Sequence, residues 1–146
     1  INKFMKYNFK KFNLDNIIVH SYGLGGENKK VDNSDFLSSK KDYGPLSNHV
    51  VENVNGKQFI RKLDDLKILN IDFMLIDTEG YELNVLKGGF ETIKKYKPVI
   101  ILEIHKFKEM TLRYGYEKEE NIKYLQNLGY KLMGYINNQD VLFIPD

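Results

Sequence analysis

Several residue types are missing or scarce in this sequence of 146 residues, and each absence removes a class of chemistry. There is no cysteine, which excludes a disulfide framework, a thiol nucleophile and a thiolate metal site. Arginine occurs only at Arg61 and Arg113, and lysine lacks the planar fork that grips a phosphate at two points, so the sequence argues against an arginine-based phosphate clamp. The longest apolar run, Pro98–Leu102, is far shorter than the ~20 residues of a membrane-spanning helix.

The residues that are present have the composition of one folded domain spanning residues 1–146. Hydrophobic residues make up 42% of the chain and charged residues 29%, so a packed core is feasible. The formal charge of +2 gives no basic footprint, and we expect neither a nucleic-acid partner nor a membrane span. A chain without cysteine is compatible with a reducing compartment, and we expect it in the cytoplasm.

The hydrophobic pattern predicts strands that alternate with helices, which is typical of an α/β fold with a mostly parallel sheet. A short connection before the last strand predicts that this strand is antiparallel to its neighbour. Asn55 and Gly56 stand between two apolar stretches and predict a β-hairpin of residues 50–54 and 57–60. The expected helices are 1–13, 63–66, 81–96 and 117–128, and the other expected strands are 17–22, 71–76, 99–105, 130–136 and 141–144.

Two of the expected helices have unusual features. Residues 1–13 set aromatic side chains among lysines, which favours either a helix packed on a sheet with solvated lysines or an element at a membrane surface. Gly88 and Gly89 lie inside the helix expected at residues 81–96, where glycine is unfavourable, and they predict close contact between this helix and the sheet.

Ionisable side chains lie at the ends of two expected strands. Asp77 and Glu79 follow the strand at residues 71–76, and Glu103 and His105 lie at the end of the next one. Sites in open α/β sheets form outside the carboxyl ends of strands, so these four side chains are expected to share one cleft. There they could take a proton from a substrate hydroxyl. Alternatively, Asp77, Glu103 and His105 could hold a divalent cation such as Mg²⁺ or Mn²⁺.

A purely structural interpretation of the same residues is also open. Asp77 and Glu79 could cap the following helix, and Glu103 could pair with a lysine or with backbone amides. For His105, a simple hydrogen bond at a strand end is the expected role.

Three blocks of sequence then suggest a family. They are Leu63–Leu66, Ile71–Gly89 with its Asp77-Thr78-Glu79-Gly80 turn, and Lys97–Glu103, a proline-containing strand that ends in glutamate. In this order and spacing the chain resembles the C-terminal half of the FkbM-type methyltransferases. Asp140–Phe143 also fits the last strand of that family, so the resemblance extends over the entire chain.

The resemblance implies a Rossmann-like enzyme that depends on S-adenosylmethionine and methylates a hydroxyl of a sugar, a glycan or a small metabolite. It implies that Asp77 and Glu79 line the catalytic cleft with Glu103 beside them. It also implies that Tyr22 and Gly23 lie near the adenosine of the cofactor and that Asp77 contacts the cofactor.

The chain departs from the family pattern in two ways. Leu75 stands where the family usually has lysine, so a cationic role is lost there. The first strand, the glycine-rich cofactor loop and the acidic second strand do not precede residue 1, so we expect an N-terminally truncated sheet. The chain would then belong to a longer parent, displace an edge strand, or form a homo-oligomer. A catalytically inactive methyltransferase-like domain that binds a partner or a glycan is the alternative.

Overall fold

The computed structural model of the chain describes residues 2–34, 49–52 and 55–146. In these residues, two four-stranded sheets are joined by helices. The strands are β1 (Gly23–Leu24), β2 (Lys29–Ser34), β3 (His49–Glu52), β4 (Gln58–Arg61), β5 (Phe73–Ile76), β6 (Val99–Glu103), β7 (Tyr130–Tyr135) and β8 (Asp140–Pro145). The helices are α1 (Asn2–Lys11), the 3₁₀ helix η1 (Leu63–Leu66), α2 (Glu82–Gly88), α3 (Phe90–Tyr96), α4 (Glu109–Leu112) and α5 (Glu119–Asn127).

The first sheet has the strand order β1-β4-β2-β3. β1 and β4 are parallel, and β2 is antiparallel to both β3 and β4. The predicted hairpin of residues 50–54 with 57–60 is therefore wrong, because β2 lies between β3 and β4. Residues 53 and 54 of that hairpin lie outside the described residues. β2 takes the central place although its sequence is polar, since it buries Val31 on the same face as Ile60.

The strand predicted at residues 17–22 does not form, and only Gly23–Leu24 pairs with β4. Ile17 and Ile18 are 41% and 81% exposed. No strand of the described chain lies beside residues 17–22, so their backbone groups have no ladder to join. An apolar run is thus insufficient for a strand here, because a neighbouring strand is also needed.

The second sheet has the order β5-β6-β8-β7. β5 and β6 are parallel, since α2 and α3 connect them as a helical crossover. β7 and β8 are antiparallel, because a short turn joins them in which Oδ1 of Asn137 accepts hydrogen bonds from the backbone of Gln139 and Asp140. β8 is also antiparallel to β6, as expected for the last strand.

The mostly parallel sheet of Rossmann-like order is not confirmed. In the described residues each sheet has one parallel pair and two antiparallel pairs. In the second sheet the physical reason is the place of β8. It lies antiparallel between β6 and β7, so β7, which follows β6 through the α4–α5 crossover and runs in the same direction, does not pair with it.

The main core lies between the second sheet and the helices packed on it. Its buried side chains come from β5, β6, β8, α2, α3 and α5, and include Ile76, Leu86, Ile93, Ile100, Leu102, Leu125, Val141 and Phe143. η1, expected as a short helix, fastens α3 to this core: Leu63 is buried, and the Asp64 carboxylate accepts hydrogen bonds from the backbone of Glu91 (3.2 Å) and Thr92 (2.9 Å).

The helix expected at residues 81–96 is interrupted at Gly89, where α2 ends and α3 begins. Gly88 lies against the loop after β1, so closely that a Cβ on it would stand 1.9 Å from the carbonyl oxygen of Gly25. The glycines therefore mark close contact, as predicted, and this contact joins α2 to the first sheet.

α1 forms over most of residues 1–13 and leaves aromatic side chains in solvent. Phe4, Tyr7 and Phe12 are 69%, 64% and 63% exposed, and Lys11 lies over the ring of Phe12. Both interpretations of this helix stay open. Among the described residues, no helix is long and apolar enough to cross a membrane.

Candidate active site

The parallel pair β5 and β6 sets two acidic side chains next to each other at their carboxyl ends. Ile76 pairs with Leu102 in the ladder, so Asp77 and Glu103, the next residues, come side by side. Asp77 is exposed, whereas Glu103 is only 8% exposed. The sheet therefore presents one solvent-accessible carboxylate backed by a buried one.

Glu103 holds its proton at neutral pH. Burial, then the charge of Asp77 and a hydrogen bond with its carboxylate, raise the pKa of Glu103 to about 8. Oε1 of Glu103 accepts a hydrogen bond from Nε2 of Gln139 (3.3 Å), and no donor among the described residues reaches its buried Oε2. Protonated Glu103 thus donates its hydrogen bond to the carboxylate of Asp77.

Asp77 is followed by a tight turn in an uncommon backbone conformation. Glu79 and Gly80 both have positive φ, 56° and 94°, and the amide of Tyr81 donates to the carbonyl oxygen of Thr78 (3.3 Å). This is the geometry of a type I′ turn. A Cβ on Gly80 would stand 2.1 Å from the carbonyl oxygen of Met110, so only glycine fits. Glu79, a non-glycine residue in the left-handed region, is held there at a cost.

Glu82 fixes this turn from inside the protein. Its side chain is 1% exposed, and its Oε1 accepts hydrogen bonds from the amide and hydroxyl of Thr78 (2.9 and 3.0 Å) and from the amide of Gly80 (3.0 Å). Burial raises the pKa of Glu82, although these hydrogen bonds oppose the shift. The helix-capping role expected of Asp77 and Glu79 is not seen: the N-cap residue of α2 is Tyr81, whose side chain makes no capping hydrogen bond, and Glu82 bonds the turn that precedes the helix.

Tyr116 holds the other side of the turn. Its hydroxyl donates to the carbonyl oxygen of Gly80 (2.5 Å) and accepts from the amide of Leu83 (3.3 Å). Burial first, then the charge of Glu82, raise the pKa of Tyr116, so its hydroxyl remains a donor. Sequence analysis missed this residue, since nothing local in the chain links position 116 to position 80.

Glu79 and His105 face each other across the mouth of the site. Nε2 of His105 lies 3.6 Å from Oε2 of Glu79. Burial lowers the pKa of His105, and burial followed by the charge of Asp77 raises the pKa of Glu79. The histidine is therefore mainly neutral at pH 7, and at 3.6 Å the contact is a loose polar one. The amide of Phe107 approaches Nδ1 of His105 (3.5 Å), which favours the tautomer with its proton on Nε2.

The divalent cation expected on Asp77, Glu103 and His105 is not supported. Where the structure describes the chain, no three histidine, aspartate or glutamate side chains are placed to hold a metal ion. The imidazole of His105 faces the carboxylate of Glu79 instead, with Nε2 of His105 3.6 Å from Oε2 of Glu79.

Tyr22 and Gly23, the residues expected near adenosine, lie on the first sheet. Gly23 pairs with Ile60 of β4, and Tyr22 lines a cavity of about 670 Å³ on this sheet. The hydroxyl of Tyr22 is 2.9 Å from Nδ1 of His20, and the guanidinium of Arg61 lies over its ring. Their role in binding the cofactor remains a prediction.

Comparison with known families decides the broader identity. A family model, the methyltransferase FkbM domain, matches residues 6–132. The chain belongs to the FkbM methyltransferase family. The family resemblance read from the three sequence blocks is thereby confirmed, and the matched range includes the Asp77–Gly80 turn of the candidate site.

A solved structure of the methyltransferase FkbM from Methylobacillus flagellatus KT has the same fold. It superposes with a TM-score of 0.55 over 96% of this chain at 16% sequence identity. The match covers 32% of the solved Methylobacillus flagellatus KT chain, so the 146 residues of this chain span about a third of the length of that protein. No curated protein matches the chain.

Proposed function

We propose that the protein transfers a methyl group from S-adenosylmethionine to a hydroxyl of a sugar, a glycan or a small metabolite. Membership of the FkbM family supports methyl transfer. The observation that carries the chemistry is the Asp77–Glu103 pair, in which a buried acid with a pKa of about 8 backs an exposed carboxylate.

The carboxylates at the ends of β5 and β6 suit the charge of this cofactor. S-adenosylmethionine supplies a methyl group on a positively charged sulfonium, next to an ammonium group. Asp77 and Glu79 are the acidic side chains within reach of solvent there, and they would attract these positive charges. The buried Oε2 of Glu82 adds an acceptor that no described donor satisfies.

Asp77 is the proposed proton acceptor. An attacking hydroxyl must lose its proton as its oxygen bonds to carbon, and a positioned carboxylate takes it up. Glu103 donates a hydrogen bond to Asp77, which fixes the direction in which Asp77 can accept. Glu79 and His105, at the mouth of the site, would orient further hydroxyl groups of the acceptor.

Orientation is the main contribution expected of the turn at Thr78–Gly80. Holding the two reacting groups in line makes the transfer effectively unimolecular, which accounts for a large part of the acceleration of such reactions. Glu82 and Tyr116 fasten the turn from two sides, so Glu79 stays beside Asp77 without further ordering.

The test is a transfer assay with the full-length protein as its gene encodes it. S-adenosylhomocysteine release is measured against a panel of monosaccharides, sugar nucleotides and small alcohols. Asp77→Asn should abolish release with at least one acceptor, whereas Asp72→Asn, an exposed aspartate at the other end of β5, should leave it unchanged. Unchanged transfer by Asp77→Asn removes Asp77 from the mechanism. Cofactor binding without transfer to any acceptor would favour the inactive binding domain.

A further inference from the structure

The outer face of the first sheet carries a cavity that the acidic side chains at the ends of β5 and β6 do not line. Its volume is about 670 Å³, and it is lined by Ser21, Tyr22, Asn28, Lys29, Lys30, Phe59, Ile60 and Arg61. A volume of this size is in the range of small-molecule sites. These residues come from β4, from β2 and from the segment that leads into β1.

The strand register places aromatic rings and cations on one face of this sheet. Lys30 is opposite Phe59, Leu24 is opposite Arg61, and Tyr22 precedes Leu24 by two residues. Phe59 and Arg61 are also two apart on β4, so they point to the same side. One face of the sheet therefore carries Lys30 of β2, Phe59 and Arg61 of β4, and Tyr22, which lies just before β1.

On this face, two cationic side chains each lie over an aromatic ring. Nζ of Lys30 lies 5.9 Å from the ring centroid of Phe59, and Cζ of Arg61 lies 5.4 Å from that of Tyr22. Phe59 is 51% exposed although it is apolar, so much of its ring is available to a ligand. Asn28 is fixed at the rim: its Oδ1 accepts from the amide of Lys62 (3.0 Å) and its Nδ2 donates to Asp65 (2.6 Å).

The positive charge of the cavity lining favours the binding of an anion. Three of the described lining residues are cationic and none carries a carboxylate. The Glu27 carboxylate bonds to Lys29 at 3.0 Å, which leaves Lys30 and Arg61 facing the cavity beside their rings. S-adenosylmethionine has a net positive charge, so this lining suits it less well than the carboxylates at Asp77 and Glu79.

We propose that this cavity binds a nucleoside diphosphate, free or as the carrier of a sugar. The planar base stacks on Tyr22 and Phe59, a contact that every base can make because each has a flat face. The two phosphates contact Lys30 and Arg61. Although the scarcity of arginine argued against an arginine-based phosphate clamp, Arg61 lines the cavity and supplies a fork that matches phosphate oxygens. The site uses none of the residues at the ends of β5 and β6, and Tyr22 is the one lining residue that it shares with the predicted adenosine contact.

The test is a calorimetric titration of the full-length protein with UDP. UDP is chosen because its base differs from the adenine of S-adenosylmethionine. We expect a dissociation constant below about 1 mM that rises roughly tenfold in Arg61→Gln, and also in Phe59→Leu, which removes the flat ring but keeps the site apolar. Uridine and pyrophosphate should each bind more weakly than UDP.

Lys95→Ala is the matched control, because Lys95 lies over the ring of Tyr96 at 4.7 Å, outside the cavity. It should bind UDP as the unaltered protein does, and melting curves show whether each variant is folded. The proposal is overturned if UDP does not bind, if Arg61→Gln and Phe59→Leu bind it normally, or if Lys95→Ala loses as much affinity. It is also overturned if pyrophosphate binds as tightly as UDP, or if S-adenosylmethionine displaces UDP. Binding is the readout, so the result stands whether or not methyl transfer is found.

Discussion

The two sheets of this protein carry sites of opposite charge and of different construction. At the ends of β5 and β6, the buried Glu103 is hydrogen-bonded to the exposed Asp77, and the buried Glu82 holds the strained turn that follows Asp77. On the outer face of β4 and β2, cations and rings lie at the surface and contact each other through side chains. The acidic site is thus part of what holds the fold together, whereas the basic cavity lies on a framework that is stable without it.

Among the substitutions that test the difference between the two sites, Gly80→Ala should lower the stability of the protein most. The new Cβ would meet the carbonyl oxygen of Met110 at a residue with φ of 94°, so we expect a loss of about 4 kcal/mol in the free energy of unfolding. Gly115→Ala is the control, because Gly115 also has positive φ (78°) but nothing lies within 4 Å of its Cβ position. It should lose only about 1 kcal/mol, as measured by urea unfolding. Equal losses would mean that the close approach to Met110 is unimportant.

Glu82→Ala should have the next largest effect. It leaves three donors of the turn, on Thr78 and Gly80, without their acceptor, and we expect a loss of about 3 kcal/mol in urea unfolding. Glu119→Ala removes an exposed glutamate from the first turn of another helix and should change stability by less than about 1 kcal/mol. A similarly small loss for Glu82→Ala would show that the turn is stable without its hydrogen bonds to Glu82.

The free energy of unfolding should also depend on pH because of Glu103 in the acidic site, and this effect is smaller than those of the two substitutions above. The pKa of Glu103 is raised from 4.5 to about 8, so the folded state holds a proton that the unfolded state releases. Its contribution is fully present below pH 4.5 and is lost as the pH rises through 8. The slope is at most about 1.4 kcal/mol per pH unit.

His105 opposes this slope below its ordinary pKa of 6.5, because its pKa is lowered by folding. The clearest fall in stability is therefore expected between pH 6.5 and 8. Glu103→Gln, which resembles the neutral acid, should flatten the curve in this window. A curve that rises there in the unaltered protein would contradict the assignment.

The smallest effect on stability is expected at the basic cavity on the outer face of β4 and β2. Arg61→Gln should change the free energy of unfolding by no more than about 0.5 kcal/mol, since Arg61 is exposed and its contact is with the ring of Tyr22. The same urea titration measures it. A loss as large as that of Glu82→Ala would remove the difference between the two sites.

The second sheet could be predicted from the sequence because its signals are local. The strands expected at 71–76, 99–105, 130–136 and 141–144 appear as β5, β6, β7 and β8, with ends that differ by at most two residues. Alternate apolar side chains of β6 and β8 are buried against α2, α3 and α5, so the hydrophobic pattern follows the packing there, whereas Phe73 and Leu75 of β5 are exposed.

The first sheet could not be predicted in the same way. β2 is polar and contributes the buried Val31, and its partners β3 and β4 are determined by long-range pairing. The Asn55-Gly56 signal favoured a hairpin that this pairing overrides. In the site, Asp77 and Glu103 were predictable because they end adjacent parallel strands, whereas Tyr116 approaches Gly80 only in the folded chain.

The most direct test of the central claim is an NMR titration of the Glu103 carboxyl carbon in the full-length protein. Burial, followed by the charge of Asp77 and the hydrogen bond to it, predicts a pKa of about 8 for Glu103. In Asp77→Asn it should fall, yet stay above 4.5, because the charge of Asp77 is removed while burial remains. A Glu103 pKa near 4.5 in the unaltered protein, or one that does not respond to Asp77→Asn, would contradict the account.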